Sequence, residues 1–176
     1  MAKQALHLKE NANATKERCI PLYRLQVVKE EHSPLYGAPK IHASSDAYRF
    51  VRSHFDGRPH EEFVAIFLNA KNTPVGYHVV SVGSLTLSIV HPREVFKAAV
   101  CMNAAGLIFA HNHPSGDPTP SAEDHLLTTR LVSAGELLGI RVLDHVVIGE
   151  DRYVSFADEG WLQRQGMPKD DVDYSG

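Results

Sequence analysis

Two histidines and one carboxylate lie close together near the middle of this sequence. His111 and His113 are separated by one residue, and Asp124 completes a stretch of fourteen residues. Side chains at positions i and i+2 of an extended segment point to the same side, so both imidazoles can reach one metal ion. Three protein ligands of this kind leave a fourth tetrahedral position for water, which is typical of a catalytic zinc site. The sequence therefore predicts one Zn²⁺ per chain, bound by His111, His113 and Asp124.

The segment between these residues is suited to reversing the chain. Residues 114–120 contain three prolines and one glycine, and such a segment continues neither a strand nor a helix. Ser121 is a preferred N-cap residue, so a helix that begins after it brings Asp124 back towards the histidines. The spacing of three residues between Ser121 and Asp124 also resembles a capping arrangement.

The elements that must position these residues follow from hydrophobic periodicity and from turn residues. We predict strands at residues 22–28, 63–68, 75–82, 85–89, 106–110, 140–148 and 153–156, and helices from Ser44 or Ser45 to Phe55, from Pro92 to about Met102, and from Ala122 to Leu138. Gly139 is expected to cap the last helix. The strand at residues 106–110 carries the two histidines at its end. This mixture predicts an α+β or α/β sandwich.

Composition and charge restrict the class of protein. The chain has 18 basic and 21 acidic residues, which is not the charge balance of a protein that binds phosphates extensively. A basic cluster in the N-terminal arm is interpreted as a solvated surface; it consists of Lys16, Arg18, Arg24 and Lys29. No apolar run approaches the roughly 20 residues of a membrane span. Residues 1–5 lack the apolar core of a signal peptide, so we expect a cytoplasmic protein without a membrane partner.

Several motifs resemble one known family. The pattern His-x-His, seven residues, Ser, two residues, Asp resembles the signature of the JAMM (MPN+) metalloproteases, also called JAB domains. Within that superfamily, residues 111–118 with Pro120-Ser121, residues 91–96, and Leu143-Asp144-His145 resemble the RadC branch. The similarity extends over roughly residues 40 to 160.

The resemblance implies a fold and a division of the chain. The fold is the α+β JAB/MPN fold, a mixed β-sheet flanked by helices, with which a cytidine-deaminase-like layering is compatible. Residues 1–40 are assigned to an N-terminal arm with a first strand, residues 41–162 to the RadC-like JAB/MPN+ metal-hydrolase domain, and residues 163–176 to a polar, disordered tail.

The resemblance further implies zinc-dependent hydrolysis of a peptide or isopeptide bond. In JAMM proteins the general base is a carboxylate that precedes an apolar strand, and Glu62 fits this pattern. Glu61 is the nearest alternative, because successive strand residues face opposite sides of a sheet. Glu94 is a weaker alternative, since its position favours a helix N-terminus. The resemblance also implies that the Ser121 hydroxyl donates to the developing oxyanion, a role compatible with capping.

Two other functions are weighed against this one. RadC proteins carry an association with DNA repair, so a nuclease or an accessory protein in nucleic-acid metabolism is the second hypothesis. Net acidity disfavours it, as does the lack of the helix-hairpin-helix segment expected upstream in full-length RadC proteins. A non-catalytic binding domain stabilised by zinc is the third.

Further polar residues receive more ordinary interpretations. Asp144 and His145 are expected to form a buried polar pair or to support the metal ligands. Histidines without ligand spacing, His54 among them, are expected at the surface. Nothing in the sequence specifies the peptide or protein substrate, or the oligomeric state.

Overall fold

The computed structural model describes residues 40–83 and 90–162. The strands predicted at residues 22–28 and 85–89, the N-terminal basic cluster and the predicted tail lie outside the described residues. The elements are α1 (Ser44–Phe55), β1 (Glu62–Leu68), β2 (Pro74–Val82), α2 (Pro92–Cys101), β3 (Gly106–Asn112), α3 (Ala122–Leu138), β4 (Arg141–Ile148) and β5 (Tyr153–Ser155). Within the described ranges, no helix combines the length and apolar character needed to cross a membrane.

The five described strands form one mixed sheet in the order β2-β1-β3-β4-β5. β3 and β4 run parallel, and the other neighbouring pairs are antiparallel. α3 connects the parallel pair, because parallel neighbours need a crossover connection. β1 and β3 are buried along their whole lengths, which explains their continuous apolar sequences. The predicted α+β fold with a mixed sheet flanked by helices is confirmed.

The sheet buries a separate apolar cluster on each face. On one face, Phe63 and Ala65 of β1 pack with residues of α2 and α3. On the other face, Val64 and Ile66 of β1 pack with residues of α1. Side chains one residue apart in a strand therefore enter different clusters. We call these sides the α3 face and the α1 face.

One side chain of α1 departs from the predicted pattern. Val51 and Phe55 are buried, and Ala47 completes their row at intervals of four residues. His54, which was expected at the surface, is only 4% exposed. Its Nε2 lies 2.9 Å from the Glu62 carboxylate on β1. The surface prediction for His54 was wrong: His54 lies three residues after Val51, on the buried side of the helix, and its carboxylate partner comes from another element.

Two glycines, Gly139 and Gly149, flank β4, the strand beside β3. Gly139 ends α3 with φ of 68°, a left-handed conformation that glycine adopts at low cost, and its predicted capping role is confirmed. Gly149 follows β4, where a Cβ atom would lie 2.3 Å from the carbonyl oxygen of Gly116. Glu150 donates its backbone N–H to the same oxygen at 3.1 Å. The loop at residues 114–120 is thereby packed against the β4–β5 turn.

Candidate metal centre

The three predicted metal ligands meet at the carboxyl end of β3. His111 Nε2 lies 3.0 Å from His113 Nε2 and 3.4 Å from Asp124 Oδ1. His113 Nε2 lies 3.7 Å from Asp124 Oδ2. One possible ligand atom from each residue lies within 4.8 Å of the others, so the cluster could hold a metal ion. His111 and Asp124 are buried and His113 is partly exposed, which makes His113 the solvent-facing member.

The loop after β3 orients His113. The Nδ1 atom of His113 lies 2.7 Å from the backbone carbonyl oxygen of Asp117. A carbonyl oxygen only accepts hydrogen bonds, so Nδ1 carries the hydrogen and Nε2 presents a lone pair to the cluster. The Asp117 side chain accepts from the hydroxyl and the N–H of Thr119 at 2.8 and 3.2 Å. The proline-rich loop therefore sets a tautomer as well as turning the chain.

A chain of hydrogen bonds orients His111. Its Nδ1 lies 2.8 Å from His145 Nε2, and His145 Nδ1 lies 2.6 Å from Thr128 Oγ1. Thr128 donates its only hydroxyl hydrogen to the carbonyl oxygen of Asp124 at 2.6 Å. Thr128 must then accept from His145 Nδ1, and His145 Nε2 must accept from His111 Nδ1. His111 Nε2 is left with a lone pair that faces the cluster.

Thr128 is a residue that sequence reasoning missed. It lies one turn after Asp124 on the same face of α3, and its exposure is only 1%. A hydroxyl on the buried face of a helix needs a hydrogen-bond partner. Its spacing of four residues from Asp124, on the face of the helix that is buried, was the signal from which Thr128 could have been found.

Asp144 and His145 bind different parts of the protein. His145 is fully buried and supports His111, as one of the two expectations for this dipeptide proposed. The Asp144 side chain instead accepts from the Ser155 hydroxyl at 2.7 Å and from the Ala157 N–H at 3.0 Å. Burial raises the pKa of Asp144 despite these hydrogen bonds. The expected buried polar pair is also present: both residues are buried, and the His145 N–H donates to Asp144 Oδ1 at 2.7 Å, although their side chains face opposite sides of the strand.

Ser121 caps α3 and holds the carboxylate of Asp124. Its hydroxyl oxygen accepts from the N–H of Asp124 at 3.1 Å. Its hydroxyl and its backbone N–H both donate to Asp124 Oδ2, at 2.7 and 2.8 Å. The predicted capping arrangement is confirmed. The same contacts limit the rotation of a proposed ligand.

The electrostatics of the cluster fit a bound cation. Burial opposes ionisation of Asp124, yet contacts with His111 and His113 hold its pKa well below the usual range. Burial lowers the pKa of His111, against the effect of Asp124, whereas contact with Asp124 raises the pKa of His113. These pKa directions describe imidazoles that donate to Asp124, whereas in the neutral tautomers set by His145 and the Asp117 carbonyl both Nε2 atoms present lone pairs beside the carboxylate. Imidazole nitrogen and carboxylate oxygen are zinc ligands, so the donor set fits this ion.

The structure separates the two main candidates for the general base. Glu62 lies on the α1 face, where its carboxylate is 2.9 Å from His54 Nε2 and 3.4 Å from Arg58. Glu61 precedes Phe63 by two residues, and Phe63 pairs with His111, so strand alternation directs Glu61 to the face of the cluster. Asp124 raises the pKa of both histidines of the cluster, and the charge of Glu61 adds a smaller contribution in the same direction. Strand alternation directs Glu61 and Glu62 to opposite faces, and the assignment of Glu62 as general base, with Glu61 as its alternative, stays a prediction.

The weaker candidate, Glu94, lies in the first turn of α2. Its carboxylate is 2.6 Å from Lys97 Nζ on the protein surface. A negative charge at this position favours the N-terminus of a helix. This surface ion pair offers no support for Glu94 as a base.

Comparisons with known proteins agree with the fold. A family model described as the RadC-like JAB domain matches residues 41–161. A UPF0758 protein of Methanosarcina mazei is 46% identical over 140 residues, which cover 80% of this chain and 59% of the relative. A UPF0758 protein of Methanosarcina acetivorans is 48% identical over 124 residues, covering 70% and 54% of the two chains. A UPF0758 protein of Symbiobacterium thermophilum is 57% identical over 102 residues, which cover 58% of this chain and 44% of the relative. The matched region thus spans about half of the length of these relatives.

Proposed function

The chain belongs to the RadC-like JAB domain family, and from this premise we propose that it is a zinc-dependent hydrolase that cleaves a peptide or isopeptide bond. The observation that carries the proposal is the meeting of two imidazole lone pairs with one carboxylate. His111, His113 and Asp124 would hold a single Zn²⁺. When bound, zinc supplies Lewis-acid polarisation of a carbonyl and lowers the pKa of water.

Glu61 is the proposed general base. It directly precedes β1, whose pairing with β3 begins at Phe63 opposite His111, and its charge acts on both ligand histidines. A carboxylate in this position accepts a proton from the attacking water and returns it to the leaving nitrogen. Such a role is worth about 10²–10⁴ in rate. Glu62 anchors the same segment through its contacts on the α1 face.

Ser121 is the proposed donor to the oxyanion. Its hydroxyl hydrogen is directed to Asp124 Oδ2 in this structure. Because a hydroxyl has one hydrogen, donation to an oxyanion requires that this bond be given up. We propose that Ser121 orients the carboxylate of Asp124 before the reaction and turns its hydroxyl to the oxyanion during it.

A matched pair of substitutions tests the assignment of the base. On a panel of quenched fluorogenic peptides and isopeptide-linked lysine compounds, zinc-loaded Glu61→Gln is expected to lose about 10²–10⁴ in kcat while keeping its zinc. Glu62→Gln is expected to keep both zinc and activity and to lose stability, because its contacts are with His54 and Arg58. Loss of activity in Glu62→Gln, with Glu61→Gln unaffected, would reverse the assignment.

His113→Ala controls for the metal in the same experiment. Elemental analysis is expected to find about one zinc per chain in the wild type and none in this variant. Zinc-loaded wild type that cleaves no member of the panel would count against the hydrolase. A zinc-stabilised binding domain would then be the better description.

A further inference from the structure

Asn112 separates His111 from His113 but faces away from their cluster. It continues the row of Ile108 and Ala110 on the α1 face, and it is 6% exposed. Its Oδ1 accepts from the backbone N–H of Glu62 at 2.8 Å. Its Nδ2 donates to the backbone carbonyl oxygen of His60 at 3.1 Å. A single side-chain amide therefore bonds the chain on both sides of Glu61.

These two bonds constrain both backbone dihedral angles of Glu61. The carbonyl of His60 belongs to the peptide group before the Glu61 Cα atom, and the N–H of Glu62 belongs to the peptide group after it. Each peptide group is planar, so its orientation sets φ or ψ of the residue between them. The carbonyl oxygen of Glu61 also accepts from the N–H of Gly83 at 2.7 Å. Together these contacts set the direction in which the Glu61 side chain leaves the backbone.

The position of Asn112 at the end of a strand explains why a side chain supplies these bonds. The pairing of β1 with β3 extends from Phe63 opposite His111 to Leu68 opposite Gly106. On this side of β1, residues 60–62 lie beyond the last pair, where strand ends open most easily, although Glu62 still pairs with Val82 of β2. The Asn112 amide offers the same donor and acceptor as a peptide group, and it extends the ladder by one step.

We propose that Asn112 is a positioning residue that ties the base Glu61 to the strand carrying two of the metal ligands. The amide holds the backbone of Glu61, and the neighbours of Asn112 on both sides are the ligand histidines. Base and ligands therefore keep a fixed separation. The inference rests on the proposed function for the role of Glu61, whereas the hydrogen bonds of Asn112 stand independently of it.

A double-mutant cycle measures the coupling between Asn112 and Glu61. In zinc-loaded protein, Asn112→Ala is expected to lower kcat about 10–100-fold with little change in KM, because a displaced catalytic group costs on this order. In the Glu61→Gln background the same substitution is expected to change kcat no further, since the positioned group is already gone. Equal losses in both backgrounds would overturn the proposal.

Asn69→Ala is the matched control. Asn69 stands beyond the other end of β1, where its Oδ1 also accepts from two backbone N–H groups, those of Lys71 and Thr73 at 2.9 and 3.1 Å. This variant is expected to lose stability and to keep kcat. A loss of kcat equal to that of Asn112→Ala would show a general effect of strand ends and would contradict the proposal.

Amide hydrogen exchange of the metal-free protein supplies a readout without catalysis. In Asn112→Ala the Glu62 N–H is expected to exchange at least about tenfold faster, while the N–H of Ala65 in the middle of β1 is unchanged. Unchanged exchange at Glu62 would overturn the proposal whatever the activity. Faster exchange, combined with a wild type that hydrolyses nothing, would support the amide contacts and reject the proposed function.

Discussion

The two faces of the sheet bury histidine–carboxylate contacts at the same end, and their chemistry is opposite. On the α1 face, the Glu62 carboxylate accepts from His54 Nε2 and lies close to Arg58, so its negative charge is met by donors. On the α3 face, two imidazole lone pairs stand beside the Asp124 carboxylate. The first carboxylate is therefore met by donors, whereas the second arrangement could hold a metal ion.

The difference depends on the second nitrogen of each ring. His54 Nδ1 is buried and has no hydrogen-bond partner among the described residues, so its Nε2 is the nitrogen that donates to a carboxylate. In His111 and His113 the Nδ1 atoms are occupied by His145 and by the Asp117 carbonyl, which leaves Nε2 free to bind. A histidine beside a carboxylate does not by itself define a metal site. What matters is the hydrogen-bond partner of the Nδ1 atom, because that partner decides whether Nε2 carries a hydrogen or a lone pair.

Among the substitutions that test the difference between the two faces, His54→Ala is expected to have the largest effect on the free energy of unfolding. His54→Ala leaves the Glu62 carboxylate buried with only Arg58 nearby, and breaking a buried pair in this way costs about 3–5 kcal/mol of unfolding free energy. Urea denaturation of the metal-free protein measures the loss. Zinc content should stay at the wild-type value, and a parallel fall in zinc would show that the two faces are not independent.

Asp124→Asn acts on the other face and has the next largest effect. Zinc at about a hundredfold excess over its Kd should stabilise the wild type by about 2.7 kcal/mol, and the variant should lose this increment because one charged ligand is gone. Thermal unfolding with and without zinc measures both. If Asp124→Asn is still stabilised by zinc as much as the wild type, Asp124 is not a zinc ligand.

Thr128→Val tests the chain of hydrogen bonds that orients His111. The substitution preserves shape and removes the hydroxyl that accepts from His145, so zinc affinity should fall about 10–100-fold, equivalent to about 1.4–2.7 kcal/mol. Competition with a chromophoric chelator measures the affinity. Thr129→Val is the control, since that hydroxyl donates only to the His125 carbonyl of its own helix, at 2.9 Å. If zinc affinity falls equally in Thr128→Val and Thr129→Val, the hydrogen bonds that set the His111 tautomer do not determine zinc affinity.

The cluster of His111, His113 and Asp124 was predictable because its signals are local. The spacing of His111 and His113 implies a shared side for any extended segment, and Ser121 and Gly139 mark both ends of α3 by their capping chemistry. Each signal is complete within a few residues. The structure therefore reproduces the helix from Ala122 to Leu138 with the predicted bounds.

The position of Glu61, the proposed base, was not predictable in the same way. β1 is buried on both faces, so its sequence lacks the alternation of apolar and polar residues that shows which side faces a given neighbour. Glu61 and Glu62 are therefore equivalent until β1 is paired with β3. His54 is equally non-local, since its burial depends on a carboxylate from another element.

The spacing of these residues along the chain also bears on the order of assembly. All three proposed ligands come from fourteen consecutive residues, whereas the contact of Asn112 with the segment of Glu61 spans 50 positions. Closing a longer loop costs more chain entropy, by about 0.6 kcal/mol for each doubling of length. Loop closure therefore favours forming the ligand set before the base arrives. In a folding chain, the proposed capacity to bind a metal would therefore precede the proposed capacity for hydrolysis.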